Sequence, residues 1–161
     1  MIIRGMKKTV IYLLCIGFIF VGANKAYSYE YLGLKYYSLP VEFYFNSSGT
    51  SDVSGDAEFD ALSASFDTWQ NVSGSSWTWS YQGTTGDSNY GSLDYKNICG
   101  WTYSLSGGTI GETTIYYSGS QILDTDIAFN SNYSWSTTGE SGKMDVQNIA
   151  THEIGHTFGL G

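Results

Sequence analysis

The sequence predicts an α+β fold, and three observations carry the prediction. Pro40-Val41-Glu42-Phe43-Tyr44-Phe45 alternates apolar and polar positions and is rich in β-formers. From Ala57 to Gln70 the apolar period changes, with Phe59, Leu62, Phe66 and Trp69 recurring at helical spacing. A series of short β-forming segments then leads to a last helical pattern that starts at Lys143 or Met144. Strands followed by a closing helix are the order expected of α+β rather than of alternating α/β architecture.

Residues 1–28 read as a signal peptide. Arg4, Lys7 and Lys8 precede an apolar run from Val10 to Val21, and Ala26 and Ser28 sit at the −3 and −1 positions of a cut before Tyr29. The run is shorter than the roughly 20 residues a spanning helix needs. Residues 29–161 are then one exported domain, secreted or periplasmic, with no membrane attachment after cleavage.

The remaining elements follow in order. Pro40 to Phe45 forms the first strand, and Asn46 to Gly55 is a polar turn region. Ser54 or Asp56 is placed to cap the helix that follows. Trp77–Tyr81, Asn97–Tyr103, Thr113–Tyr117 and Gln121–Phe129 read as strands. Polar loops span Gln82–Ser92 and Asn130–Gly142, the second containing Trp135. Asp145 is the expected N-cap of the last helix.

Charge narrows the partners. The chain has seven basic and fifteen acidic residues, a net −8. Arg4, Lys7, Lys8 and Lys25 leave with the signal, so Lys35, Lys96 and Lys143 face all fifteen acids and the charge becomes −12. Such a surface repels nucleic acid and anionic membranes. Only Cys99 remains after cleavage, which excludes an internal disulfide. A monomer is expected.

The chemistry is concentrated at the end of the chain. His152-Glu153-Ile154-Gly155-His156 is an H-E-x-x-H motif on the predicted helix, and it holds both histidines of the sequence. Residues four apart share a helix face, so His152 and His156 can turn imidazole nitrogens to one Zn2+. Glu153 stands beside them, placed to take a proton from a zinc-activated water without being a ligand. Gly159 falls where a helix has to stop and turn.

From His152 to Gly161 the chain resembles the metzincin zinc proteases, and most closely their matrixin branch. Asp124–Asn130 resembles the matrixin edge-strand segment, and the helix bearing Phe59, Phe66 and Trp69 resembles the first matrixin helix. The resemblance implies a twisted, mainly parallel sheet of about five strands with one antiparallel edge strand. Two helices pack on it, and a third lies beyond this sequence. It further implies a polypeptide substrate laid along an edge strand, which Gln121–Phe129 is expected to supply. The extended motif places a third zinc ligand at the position after Gly161. Residues 29–161 thus read as an incomplete catalytic domain, expected to hold zinc weakly and to show little activity as it stands.

Two further readings stand beside this one. A secreted, non-catalytic binding or surface protein would keep the same fold. Asp87, Asn89 and Asp94 offer oxygen ligands of the kind Ca2+ takes, although a plain turn explains the loop as well. Cys99-Gly100 is read as a buried strand rather than as a cap on the metal. Sequons at Asn46, Asn71 and Asn132 matter only in a glycosylating source.

Overall fold

Alternation in the strand Val41–Asn46 (β2) buries Val41, Phe43 and Phe45 while Glu42 stays exposed. That is the pattern of a strand covered by helices on one face. The structure, a computed structural model, describes residues 30–161 and the backbone of 6–14. Met6–Leu14 (β1) is a strand, and the remainder of the expected signal peptide lies outside the described residues.

The other strands of the main sheet are Trp79–Thr85 (β3), Ile98–Thr102 (β4), Thr109–Ser118 (β5) and Gln121–Asn130 (β6). Their spatial order is β1-β5-β6-β4-β2-β3. The pairs β2–β3, β2–β4 and β4–β6 are parallel. The pairs β5–β6 and β1–β5 are antiparallel. The domain's own five strands are therefore mainly parallel with an antiparallel margin, in agreement with the α+β expectation.

One assignment is corrected. Gln121–Phe129 is not the edge strand: β6 lies between β4 and β5, and β5 is the domain's outer strand. The burial of β6 shows why, since every residue from Asp124 to Asn130 is buried. An edge strand leaves one side to solvent or to an added strand, and here that strand is Met6–Leu14 along β5.

Helix α1 spans Ala57–Gln70 and α2 spans Val146–Thr157. Leu62 and Phe66 of α1 are fully buried against Phe43 and Phe45. Phe66 stacks on Trp79 with ring centroids 4.4 Å apart. Asp56 occupies the N-cap of α1 without a side-chain cap bond. The expected cap of α2 does form, with Asp145 Oδ1 accepting the Asn148 N–H at 2.8 Å.

Trp135 departs from its polar surroundings. It is fully buried, lies in the two-residue strand Trp135–Ser136 (β7) and pairs with Met144–Asp145 (β8). Its indole Nε1–H donates to the Asn130 carbonyl at 3.0 Å. Its ring meets Trp101 and Phe129 edge-on. This tryptophan carries the core across to the start of α2.

Candidate functional site

Helix α2 is clamped from three sides, and each clamp acts near the H-E-x-x-H residues. From α1, Ser65 Oγ donates to the Gln147 carbonyl at 3.1 Å and Trp69 Nε1–H to the Thr151 carbonyl at 2.7 Å. Gly155 lets the two helices close: a methyl there would lie 2.9 Å from the Trp69 ring. From β5, Thr113 reaches Glu153. From the segment that precedes β2, Glu30 and Leu32 pair with residues 159–161, Leu32 N–H donating to the Gly159 carbonyl at 2.7 Å.

The end of α2 sets the second histidine. Gly159 adopts φ +81°, a conformation open to glycine. Its N–H donates to the His156 carbonyl at 2.9 Å, and Leu160 N–H donates to the Gly155 carbonyl at 3.4 Å. This pair of bonds is a Schellman turn. The turn carries the Leu160 carbonyl to 2.5 Å from His156 Nδ1. A carbonyl can only accept, so Nδ1 holds the hydrogen and Nε2 keeps its lone pair.

That lone pair points at a shared position. His152 Nε2 and His156 Nε2 are 3.1 Å apart, with the rings nearly perpendicular. Two nitrogens each about 2.05 Å from a tetrahedral zinc would be separated by about 3.3 Å. The pair therefore fits a zinc ion, and the Leu160 carbonyl is the outer partner that ligating histidines ordinarily have. Burial lowers the pKa of both imidazoles, and each also feels a neighbour: His156 lowers His152 further, while the Leu160 carbonyl opposes the shift of His156. Neutral imidazole is the form that binds metal. Among the described residues, no three His, Cys, Asp or Glu side chains come together as a metal group.

Glu153 is fully buried beneath β5. Thr113 Oγ1–H donates to Oε2 at 2.7 Å, while Oε1 has no hydrogen-bond partner. Gly111 makes room for this carboxylate, because a methyl there would sit 2.7 Å from Oε1. Burial pushes the Glu153 carboxyl up to about 7, the Thr113 bond opposes that shift, and the charge of Glu112 adds to it. A carboxyl poised near neutrality takes and returns a proton at little cost. A groove of about 520 Å³ opens beside His152, lined also by Trp69, Asn148 and Thr151.

All three residues singled out in the sequence, His152, Glu153 and His156, thus sit together on α2. Thr113, Gly111 and Leu34 were not anticipated. Leu34 presses on Gly159, where a methyl would meet its Cβ at 3.1 Å. These contacts join residues far apart in sequence, which no local pattern reveals.

The other expectations fare unevenly. In the loop offered for Ca2+, the Asp87 carboxylate pairs with the Lys96 ammonium at 2.5 Å, and Asp94 Oδ1 accepts the Lys96 N–H. Cys99 is fully buried, and burial holds its thiol protonated. Asn46 is buried with its amide donating to the Asp87 carbonyl at 2.7 Å, so it is closed to glycan attachment. No helix among the described residues is long and apolar enough to cross a membrane.

Comparison with known families agrees with this geometry. The family model described as Matrixin matches residues 39–161, which takes in every strand from β2 onward and both helices. No curated protein matches the chain.

Proposed function

This chain belongs to the matrixin family of metalloproteases, and on that premise we propose that it is an exported zinc endopeptidase acting through His152, His156 and Glu153. The single observation that carries the reading is the committed His156 ring. With Nδ1–H given to the Leu160 carbonyl, its Nε2 lone pair faces His152 Nε2 across 3.1 Å. Those two nitrogens would hold the metal. Zinc, when bound, supplies Lewis acidity that polarises a peptide carbonyl and makes water acidic near neutral pH.

The chain's own part is proton handling and alignment. Thr113 holds Oε2, and Oε1 is the oxygen without a partner; it is closed to solvent in this structure, so accepting a proton from the attacking water requires the side chain to turn toward the histidines. The neutral carboxyl then passes that proton to the departing amine nitrogen. Burial keeps the carboxyl near 7, so neither transfer is steeply uphill.

The substrate in this reading is a polypeptide extended antiparallel along β5. Support comes from the pairing of Met6–Leu14 on that same strand, in register from Met6 opposite Ser118 to Tyr12 opposite Glu112, with a shift before Leu14 opposite Thr109. An added strand gains backbone hydrogen bonds at an open edge. Removal of residues 1–28 as a signal peptide would clear that edge on export. The acidic balance makes nucleic acid an unsuitable partner.

The test is Glu153→Gln in the zinc-loaded complete gene product, assayed on a quenched-fluorescence peptide library. Hydrolysis should fall by about 10² to 10⁴-fold, the usual contribution of a general base. Zinc content should be retained. Wild-type hydrolysis in that variant would sink the mechanism.

A further inference from the structure

The parallel strands β2, β4 and β6 end on one side of the sheet, at Asn46, Thr102 and Asn130. The segments leaving those ends, with Ser88, line a crevice of about 620 Å³. The carboxyl ends of parallel strands are where open sheets take ligands. None of the lining residues belongs to the groove beside His152.

The wall chemistry is narrow. Hydroxyl side chains dominate, and no Lys, Arg or aliphatic side chain is among the lining residues described. Aromatic rings come from Trp101, Tyr103 and Tyr133. Tyr103 is 72% exposed, more than any other large hydrophobic side chain among the described residues. Trp101 is 7% exposed, and its Nε1–H is closed to solvent with no partner. Its ring therefore serves as floor and its proton is out of reach.

Two acceptors in this crevice are held in place by the protein. Asp52 Oδ2 accepts the Trp135 N–H at 2.9 Å. Asn132 Nδ2–H donates to Asn130 Oδ1 at 2.9 Å. Each bond fixes a side chain: it leaves Asp52 its second carboxylate oxygen, Oδ1, and Asn132 its one amide oxygen, Oδ1, to accept from a ligand. Groups fixed in advance lose little entropy on binding.

We propose that this crevice binds a neutral saccharide. A sugar presents donor hydroxyls for the Asp52 and Asn132 oxygens, and its C–H faces suit the exposed Tyr103 ring. The serine hydroxyls can donate or accept as each sugar hydroxyl requires. An anionic ligand would meet the Asp52 carboxylate, and the cation that feels that charge, Lys143, is paired with Glu140 and does not line the crevice. An apolar ligand would strip water from the hydroxyls without replacing their bonds.

Calorimetric titration of the full chain with neutral tetrasaccharides of glucose, mannose, galactose and N-acetylglucosamine tests this. At least one should bind. Tyr103→Ala should weaken that binding about tenfold, in line with loss of a stacking ring. Asn132→Ala should weaken it about fivefold, in line with one hydrogen bond. Both side chains are exposed, and circular dichroism would verify that the variants fold. No binding by the panel at millimolar sugar would overturn the proposal. So would sugar binding unchanged in both variants, which would place the site elsewhere. Capture of a lysine-rich peptide in place of any sugar, lost in Tyr103→Ala, would overturn the saccharide assignment.

Discussion

Replacing Gly111 with alanine is expected to disarm Glu153 without altering either histidine. The added methyl would lie 2.7 Å from Glu153 Oε1 and 2.9 Å from both Cδ and Cγ. Ordinary van der Waals contact begins at 3.4 Å, so Oε1 or its surroundings must give by roughly 0.7 Å. The neighbours resist that movement. Gly111 is paired opposite Phe129 within the sheet, and Oε2 is held by Thr113. Gly111 does not use a glycine-only backbone conformation, so the whole effect comes from the clash.

Overpacking of this kind costs about 1–3 kcal/mol of stability. A displacement approaching 1 Å at the proton-accepting oxygen lowers turnover by about 10 to 100-fold. Urea unfolding followed by tryptophan fluorescence reads the first effect, and peptide hydrolysis by the zinc-loaded complete gene product reads the second. Gly107→Ala is the control, because a methyl there meets nothing within 4 Å. An unfolding midpoint and a kcat that match wild type would refute the argument that Gly111 seats the Glu153 carboxylate.

Two other outcomes follow from the structure. Burial pushes Asp126 from 3.8 up to about 7, the nearby Asp124 adds to the shift, and N–H donors at Gly91 and Ile98 oppose it. The folded state then keeps a proton that the unfolded chain has released, so stability falls as pH rises from about 4 to about 7, by at most about 4 kcal/mol. Urea midpoints across that window should fall less steeply in Asp126→Asn, whatever its absolute stability; an unchanged slope would count against the shift. Gly159→Ala forces a left-handed residue with a side chain and brings its methyl to 3.1 Å from Leu34 Cβ. It should cost about 1–2 kcal/mol, and nitrogen NMR should show His156 losing its fixed Nδ1–H tautomer; a retained single tautomer would show that the turn does not set it.

What could be read from the sequence was what is local. A four-residue spacing on a helix places His152 and His156 on one face whatever surrounds them. Asp145 caps α2 through a bond to a residue three positions on. The α1 seam of Leu62 and Phe66 is likewise a property of its own period. The edge strand was misread because β5 and β6 are both β-forming segments, and which is outermost depends on pairing with β4. Trp135 was read as part of a loop because its burial comes from Trp101 and Phe129, distant in sequence.

The same division explains why the motif needs its domain. A twelve-residue helix is marginal in water on its own, so the H-E-x-x-H spacing alone would not hold two imidazoles 3.1 Å apart. Three glycines mark where the domain closes on α2: Gly155 against Trp69, Gly111 against Glu153 and Gly159 against Leu34. At each, a side chain would push away the element that supports one part of the site. Gly155 brings in α1, Gly111 seats the base, and Gly159 delivers the Leu160 carbonyl that fixes the His156 tautomer. The histidines and the glutamate set the type of chemistry. Its geometry comes from approaches that only glycine permits.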